Sequence, residues 1–176
     1  MPSSYATPAQ YLAKFGRAEA TQLLADEEAL LTETLLVDAI AVAGGGAWTG
    51  SPSQAQQDAG TAALARLTRQ LLVSSNFMDG YLRAVVTLPM PPDDANATTL
   101  EDCCLALTRC GLADDADNAT ERMDKCCADW RAWLKDVAAG RTQLITPVGA
   151  SPVAAGRVRA GQALSSYDWT RFGGVR

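Results

Sequence analysis

Apolar residues recur every three or four positions along most of the chain, which is the spacing of one face of an α-helix. The clearest run lies between about residues 52 and 86, where Leu64, Leu67, Leu71, Met78 and Leu82 follow this period. No stretch of useful length shows the apolar–polar alternation that is typical of a strand. The pattern therefore predicts an all-α protein, a small helical bundle with one long central helix.

Four predicted helix starts share one local signature, a side-chain oxygen at the N-cap and a Gln or Glu three residues later. These N-caps are Thr7, Ser51, Thr98 and Asn118. In the first two, a proline occupies the first helical position, where its missing N–H is tolerated. The predicted helices cover residues 8–16, 17–43 (one helix, or two with a break near Asp26), 52–86, 99–111 and 119–139, with Gly16 and Gly140 as C-terminal stops.

Two loops and a C-terminal segment interrupt the helical pattern. Residues 44–53 form a glycine-rich insertion that carries Trp48, and a lone indole in such a loop suggests contact with another protein. Residues 88–98 contain prolines that exclude a helix. After Gln143, small residues, Gly and Pro dominate and no period survives. We therefore predict a helical bundle domain over residues 1–143 and an extended C-terminal arm over residues 144–176.

Charge divides the chain in the same place. Residues 1–143 hold eleven Lys or Arg and nineteen Asp or Glu, whereas residues 144–176 hold four Arg and one Asp. The bundle therefore has a net charge of −8 and the arm one of +3. Because phosphate contacts supply most of the affinity of a protein for nucleic acid, an acidic bundle disfavours DNA binding.

The five cysteines raise the question of a metal or redox site. The N-terminus has neither a basic nor an apolar leader region, so we expect no signal peptide and reduced thiols. Cys103–Cys104 and Cys126–Cys127 are adjacent pairs, whose side chains point about 100° apart on a helix. That spacing differs from the one typical of structural zinc sites, and the chain has no histidine. A site with one thiolate from each pair plus Cys110 remains geometrically possible.

The favoured interpretation of these cysteines is a packing seam between two helices, since free cysteine is often buried. Two stripes at helical spacing form the seam, one containing Cys104 and Leu107 and the other Cys127, Trp130 and Leu134. Trp133 lies one strip over and faces either the core or another molecule. The predicted core residues are Leu71, Met78, Leu82, Cys104, Leu107, Cys127, Trp130 and Leu134.

The sequence contains no recognisable catalytic constellation. Histidine, the commonest general base, is missing, and neither a G-x-S-x-G elbow nor a P-loop is present. The acidic stretches at 93–94 and 114–117 precede predicted helices, so we interpret them as solvated loop acids that face the positive end of the helix dipole. We therefore expect no enzymatic activity, no cofactor and no metal.

The arm combines aromatic and arginine residues, which are the usual anchors of protein interfaces. The candidate interface residues are Arg157, Arg159, Tyr167, Trp169, Arg171 and Phe172. Such a segment is too poor in apolar residues for a core of its own, which favours ordering on a partner. The alternative is an unstructured overhang.

Three stretches, "YATPAQYLAKFGRAEATQLL", "MDGYLRAVVTLPMPP" and "WRAWLKDVAAGR", resemble in this order the Mu-like phage proteins of head–tail joining. The matching positions are Tyr5, Phe15, Gly16, Asp79, Gly80, Tyr81, Leu82, Leu88, Pro89, Trp133, Leu134, Val137, Gly140 and Arg141. The resemblance covers about residues 5–143. This chain departs from the pattern in the expanded region 27–60 and after "GYL", where the usual basic residue and aromatic are replaced by residues 83–86.

This resemblance implies a neck adaptor of a long-tailed phage. Such an adaptor is a helical bundle that forms a ring of commonly about a dozen copies, beneath the portal protein and above the next neck or tail protein. It would be part of the virion neck, assembled in the host cytoplasm without a membrane, and DNA would pass through its channel without specific binding. The alternatives are another neck or tail-completion protein, a DNA-binding packaging subunit and a small metalloprotein.

Overall fold

A 29-residue helix, α4 (Gln54–Leu82), forms the centre of the fold and contacts four other helices. The computed structural model describes residues 4–25, 28–90, 94–113 and 119–145. Within these ranges there are five further helices and no strand: α1 (Pro8–Phe15), α2 (Arg17–Leu23), α3 (Glu33–Ala43), α5 (Ala97–Leu112) and α6 (Glu121–Ala138). The predicted all-α bundle with a long central helix is confirmed for the described residues.

The helices pack in two groups on the central helix. α5 contacts both α4 and α6, while α2 contacts α1 and α3, and the helices α1, α3 and α6 also contact α4 directly. One hydrophobic cluster joins residues from the start of the chain to Val137 on α6. The described helices therefore share a single core.

The first helix begins and ends as its sequence predicts. The Thr7 hydroxyl accepts the Gln10 backbone N–H, the Gln10 side chain accepts the Thr7 N–H at 2.7 Å, and Pro8 holds the first helical position. Gly16 ends the helix at φ +87°, a left-handed value that favours glycine. Because α2 starts at the next residue, this glycine sets the corner between α1 and α2.

Three predicted helix starts are each wrong by two residues. The N-cap of α4 is Ser53, not Ser51, because Ser53 and Gln56 form a complete capping box. The N-cap of α6 is Thr120, whose hydroxyl accepts the Met123 N–H at 3.2 Å, and Asn118 lies outside the described residues. The N-cap of α5 is Asn96, not Thr98.

Two predicted helix extents also change. The region 17–43 is two helices, α2 and α3, separated by residues 24–32, of which residues 26–27 are not described. The central helix ends at Leu82 and not near residue 86, because the Val85 and Val86 N–H groups both bond to the Leu82 carbonyl in a turn. Gly140, at φ +68°, follows the end of α6 as predicted.

The bundle continues slightly beyond the predicted boundary at residue 143. The Asn96 side chain accepts the Ile145 N–H and donates to the Ile145 carbonyl, both at 2.8 Å. Leu144 is partly buried against the core. The arm residues Arg157, Arg159, Tyr167, Trp169, Arg171 and Phe172 lie outside the described residues.

Candidate assembly surfaces

Most of the predicted core residues are buried. Leu71, Met78, Leu82, Cys104, Leu107, Cys127 and Leu134 each expose at most 6% of their surface. Trp130 is the exception, because its indole is only partly buried. Trp is too large to be fully enclosed in most cores, and here the ring of Trp130 meets Trp133 edge-on at 5.5 Å on the outer side of α6.

The sequence suggested that Trp48 contacts another protein from its loop, but in the structure it packs against its own molecule. Its indole is half-buried against the core, and a Cβ added at Gly60 would lie 3.2 Å from it. The neighbouring Thr49 anchors the loop, since its N–H and hydroxyl both donate to the buried Asp38 carboxylate at 2.9 and 2.8 Å. The glycine at position 60 therefore makes room for Trp48 inside the same molecule.

The first and second stretches that carry the family resemblance meet in space. The Tyr5 hydroxyl donates to Asp79 Oδ1 at 2.6 Å, and the Tyr5 N–H donates to Ser75 Oγ at 3.1 Å. Burial is the largest cause of the raised pKa of Tyr5, and the hydrogen bond and charge of Asp79 raise this pKa further. The residues before α1 are thus tied to α4 by a phenol that stays protonated.

The corner between α1 and α2 is fixed by charged residues of α5. The Arg109 guanidinium lies over the Phe15 ring at 4.9 Å and forms a two-point ion pair with Glu19. Lys14 forms an ion pair with Asp102, also on α5. These contacts give Phe15 and its neighbours a structural role in holding the N-terminal helices on the bundle.

The helices α5 and α6 are joined by a disulfide between Cys110 and Cys127. The expectation that all cysteines are reduced is therefore wrong for these two residues. Their Cα atoms lie 6.1 Å apart, a separation that a disulfide spans without backbone movement. The expectation rested on the composition of the first residues, and the linear pattern does not indicate that the last turn of α5 faces the second turn of α6.

The other cysteines divide into two buried thiols and one exposed thiol. Cys103 and Cys104 are fully buried, and Cys126 is exposed. Burial raises the pKa of Cys103 to about 12 and raises that of Cys104, so both remain protonated at neutral pH. Protonated thiols neither bind metal nor act as nucleophiles. No group of three or more potential metal ligands occurs within the described ranges.

The outer side of α6 forms an open groove of about 540 Å³. Its lining residues all lie on one helix face: Arg122, Lys125, Cys126, Asp129, Trp130 and Trp133. An aromatic pair with a charged rim is the composition of protein-binding surfaces. The sequence left Trp133 undecided, and the helical spacing of residues 122, 126, 129, 130 and 133 is the signal that could have identified this face.

A search of the described helices for a membrane span finds none that is both long and apolar enough. Within the same residues, several polar and sulfur-containing side chains form contacts between elements of the bundle. They include the Tyr5 phenol, the Arg109 guanidinium and the Cys110 and Cys127 sulfurs. The groove on α6 is one outer surface of the described residues that these contacts leave open.

A comparison with protein families gives one finding. The family model described as bacteriophage Mu, Gp36 matches residues 5–161. Comparison with curated proteins and with solved structures returned no match. The match includes both stretches joined by the Tyr5–Asp79 hydrogen bond and the groove on α6. The chain is a Mu-like phage protein and belongs to the bacteriophage Mu Gp36 family.

Proposed function

We propose that this chain is a structural virion protein, a head-to-tail adaptor that forms a ring between portal and tail in the neck of a long-tailed phage. The single observation that carries the proposal is membership of the Mu Gp36 family over residues 5–161. The resemblance of the three sequence stretches implies the adaptor role within such phages. A ring of about a dozen copies, assembled in the host cytoplasm, is part of the same proposal.

The groove on α6 supports a role in protein assembly. Trp130 and Trp133 pack edge to face and share this groove with Arg122 and Lys125 on its rim. Half-buried aromatic groups with charged neighbours contribute most of their binding energy when a partner excludes the remaining water from them. We assign this groove to the portal or to the next neck or tail protein.

The arm is the second proposed contact with other proteins. Its aromatic and arginine residues suit an interface, and its positive charge opposes that of the bundle. We assign the arm to the portal or to the adjacent copy in the ring.

The charge of the bundle supports passage of DNA without binding. Residues 1–143 have a net charge of −8, so a channel lined by this surface releases few counterions when DNA enters. In this role the chain needs no enzymatic activity, cofactor, metal or membrane.

A second candidate function is another neck or tail-completion component, which would use the same bundle to contact the tail and not the portal. A DNA-binding packaging subunit is disfavoured by the acidic bundle. A small metalloprotein is disfavoured because the disulfide removes Cys110 and Cys127 from the available thiolates.

Cryo-electron microscopy of particles from the phage or induced prophage that encodes the chain tests the proposal. We expect a ring of six-helix subunits directly beneath the portal. A position on the tail side, away from the portal, would favour the second candidate. Absence of the chain from purified particles, or a salt-sensitive shift of duplex DNA by the purified protein, would contradict the adaptor role.

A further inference from the structure

The central helix leaves one side exposed along its C-terminal half. Five residues at helical spacing define this surface, which we call the α4 outer face: Arg66, Arg69, Val73, Phe77 and Gly80. Val73 and Phe77 are 49% and 40% exposed, and the only other exposed large apolar residue in the described ranges is Ile145. The Phe77 ring is held edge-on against Tyr81 at 5.2 Å. Adjacent exposed apolar groups with a polar rim mark interaction sites.

Gly80 gives a second, independent reason to place a partner on this face. Glycine within a helix destabilises it relative to alanine, so its presence in the last turn of α4 needs a cause. A Cβ at Gly60 would meet Trp48, and one at Gly111 would collide with the Gln70 side chain. A Cβ at Gly80 would meet nothing within 4 Å. The described molecule itself does not need this glycine, which favours close approach by another chain.

The arginines of this face indicate the chemistry of the partner. Arg66 and Arg69 have no side-chain partner within the described ranges, and Arg83 extends the positive charge one turn further. The bundle as a whole carries a net charge of −8, so the remaining surface of the molecule is the electrostatic complement of this face. We infer that the α4 outer face binds an acidic surface on a second copy of this chain.

This contact is head-to-tail. Like charges meet when two copies of the α4 outer face approach each other, which disfavours a two-fold dimer through this patch. Contacts between two different patches generate rings when the rotation closes. The inference rests on the proposed function and names the surface by which the ring would form.

Two other occupants fit less well. The C-terminal arm has a net charge of +3, the same sign as the α4 outer face. DNA complements the arginines, but it leaves the apolar centre at Val73 and Phe77 without a matching surface. The acidic protein surface satisfies both the charge and the apolar centre.

Photo-crosslinking in assembled particles tests the contact directly. The substitution Phe77→benzoylphenylalanine places a photoreactive group on the α4 outer face, and Thr61→benzoylphenylalanine, exposed on the same helix outside that face, gives the background. We expect irradiation to link two copies into a species of twice 18.5 kDa only from position 77. Peptide mapping should place the linked residue of the second copy outside its own α4.

Charge reversal gives a quantitative test in the same particles. The double variant Arg66→Glu/Arg69→Glu should reduce the yield of linked copies by about tenfold or more. Arg131→Glu/Lys135→Glu changes net charge equally on the exposed side of α6 and should leave the yield unchanged. Equal yields from the two double variants would overturn the inference.

Gly80→Ala separates assembly from folding. Alanine should raise the Tm of the isolated chain by about 2–4 °C, because the helix gains stability and the added Cβ meets nothing. The same variant should enter the ring less well. A higher Tm with unchanged incorporation would overturn the inference.

The outcomes distinguish the two proposals. If the chain is missing from particles, the adaptor role fails and the inference fails with it. If the ring is present and position 77 links to DNA, to a different protein or to nothing, the adaptor role stands and only the α4 interface is wrong.

Discussion

At the scale of single residues, one phenol ties the start of the chain to the central helix. The Tyr5 hydroxyl donates to the Asp79 carboxylate at 2.6 Å, across 74 positions of sequence. A hydrogen bond to a charged acceptor is stronger than one between neutral groups, although partial exposure to water weakens it here. Tyr5 and Asp79 belong to two of the stretches that carry the family resemblance. Their hydrogen bond therefore gives a residue of each stretch a structural role.

We predict that Tyr5→Phe lowers the free energy of unfolding by about 1 kcal/mol, since it removes this bond and keeps the ring. Tyr81→Phe is the matched control, because the Tyr81 hydroxyl has no hydrogen-bond partner among the described residues and should be replaceable without effect. Urea denaturation of both variants measures the difference. Equal stability of the two would mean that the Tyr5–Asp79 bond contributes nothing.

The buried thiols predict a loss of stability at alkaline pH. Burial raises the pKa of Cys103 from an ordinary value near 9 to about 12, the neighbouring Cys104 raises it further, and Lys14 opposes the shift. Above pH 9 the unfolded chain releases this proton while the folded chain retains it, so the unfolded state binds fewer protons and stability falls as pH rises. Below pH 9 the full contribution is present.

We therefore expect the free energy of unfolding to fall by up to about 1.4 kcal/mol per pH unit for this thiol between pH 9 and pH 12. Urea denaturation at a series of pH values measures the slope. A Cys126→Ser background prevents disulfide exchange by the exposed thiol. Adding Cys103→Ala should remove the contribution of this thiol and so make the slope shallower by up to about 1.4 kcal/mol per pH unit. An unchanged slope would contradict the raised pKa of Cys103.

At the scale of elements, local signals determine some helix ends and packing determines others. The start of α1 could be predicted because Thr7, Pro8 and Gln10 allow one capping arrangement. The start of α4 could not, since the sequence offers two overlapping Ser-x-x-Gln signatures and only the second forms the cap. Asn96 begins α5 without a side-chain cap because its side-chain oxygen, the atom that could cap the helix, accepts the Ile145 N–H across 49 positions.

The disulfide is the largest feature of the seam that the sequence did not predict. Adjacent cysteine pairs suggested the contact between the two helices, but the pairing of Cys110 with Cys127 depends on how α5 and α6 are aligned. The interpretation as a packing seam is compatible with the buried Cys103 and Cys104. Their burial, together with the disulfide, leaves Cys126 as the exposed thiol of the described chain.

We predict that Cys110→Ser/Cys127→Ser lowers the free energy of unfolding by about 3 kcal/mol, because the crosslink closes a loop with a sequence separation of 17 residues in the unfolded chain. Guanidinium denaturation without reductant measures the loss. Cys126→Ser, an exposed thiol outside the disulfide, should leave stability unchanged. Dithiothreitol should destabilise the wild type by a similar amount and leave the double variant unaffected, and insensitivity of the wild type would contradict a stabilising crosslink.

At the scale of the whole molecule, charge and apolar surface are distributed unevenly. The acidic bundle has two outer surfaces with aromatic groups that reach solvent, the α6 groove with its half-buried indoles and the α4 outer face with the exposed Phe77. Composition could predict the charge division, because it needs only a count along the chain. It could not predict the two surfaces, since the exposure of Phe77 and Trp133 depends on which helix faces the remaining helices cover.

The division between bundle and arm leads to the last prediction. The bonds between Asn96 and Ile145 show that the described bundle includes residue 145, so a truncation that keeps the bundle intact ends there. A chain ending at Ile145 should retain the helix content and, within about 2 °C, the Tm of the full chain, because it keeps every member of the described hydrophobic core, from Tyr5 to Leu144. Circular dichroism measures both.

In particles, the truncated chain should fail to attach at the neck, since it lacks the aromatic and arginine residues that we assign to the portal or the adjacent copy. The matched control keeps the length and charge of the arm but replaces its anchors with Tyr167→Ser, Trp169→Ser and Phe172→Ser. Because aromatic anchors supply most of the energy of an interface, this variant should fail in the same way as the truncation. If the truncated chain folds and still assembles, the arm has no role in attachment, and the α6 groove and the α4 outer face must supply the contacts by themselves.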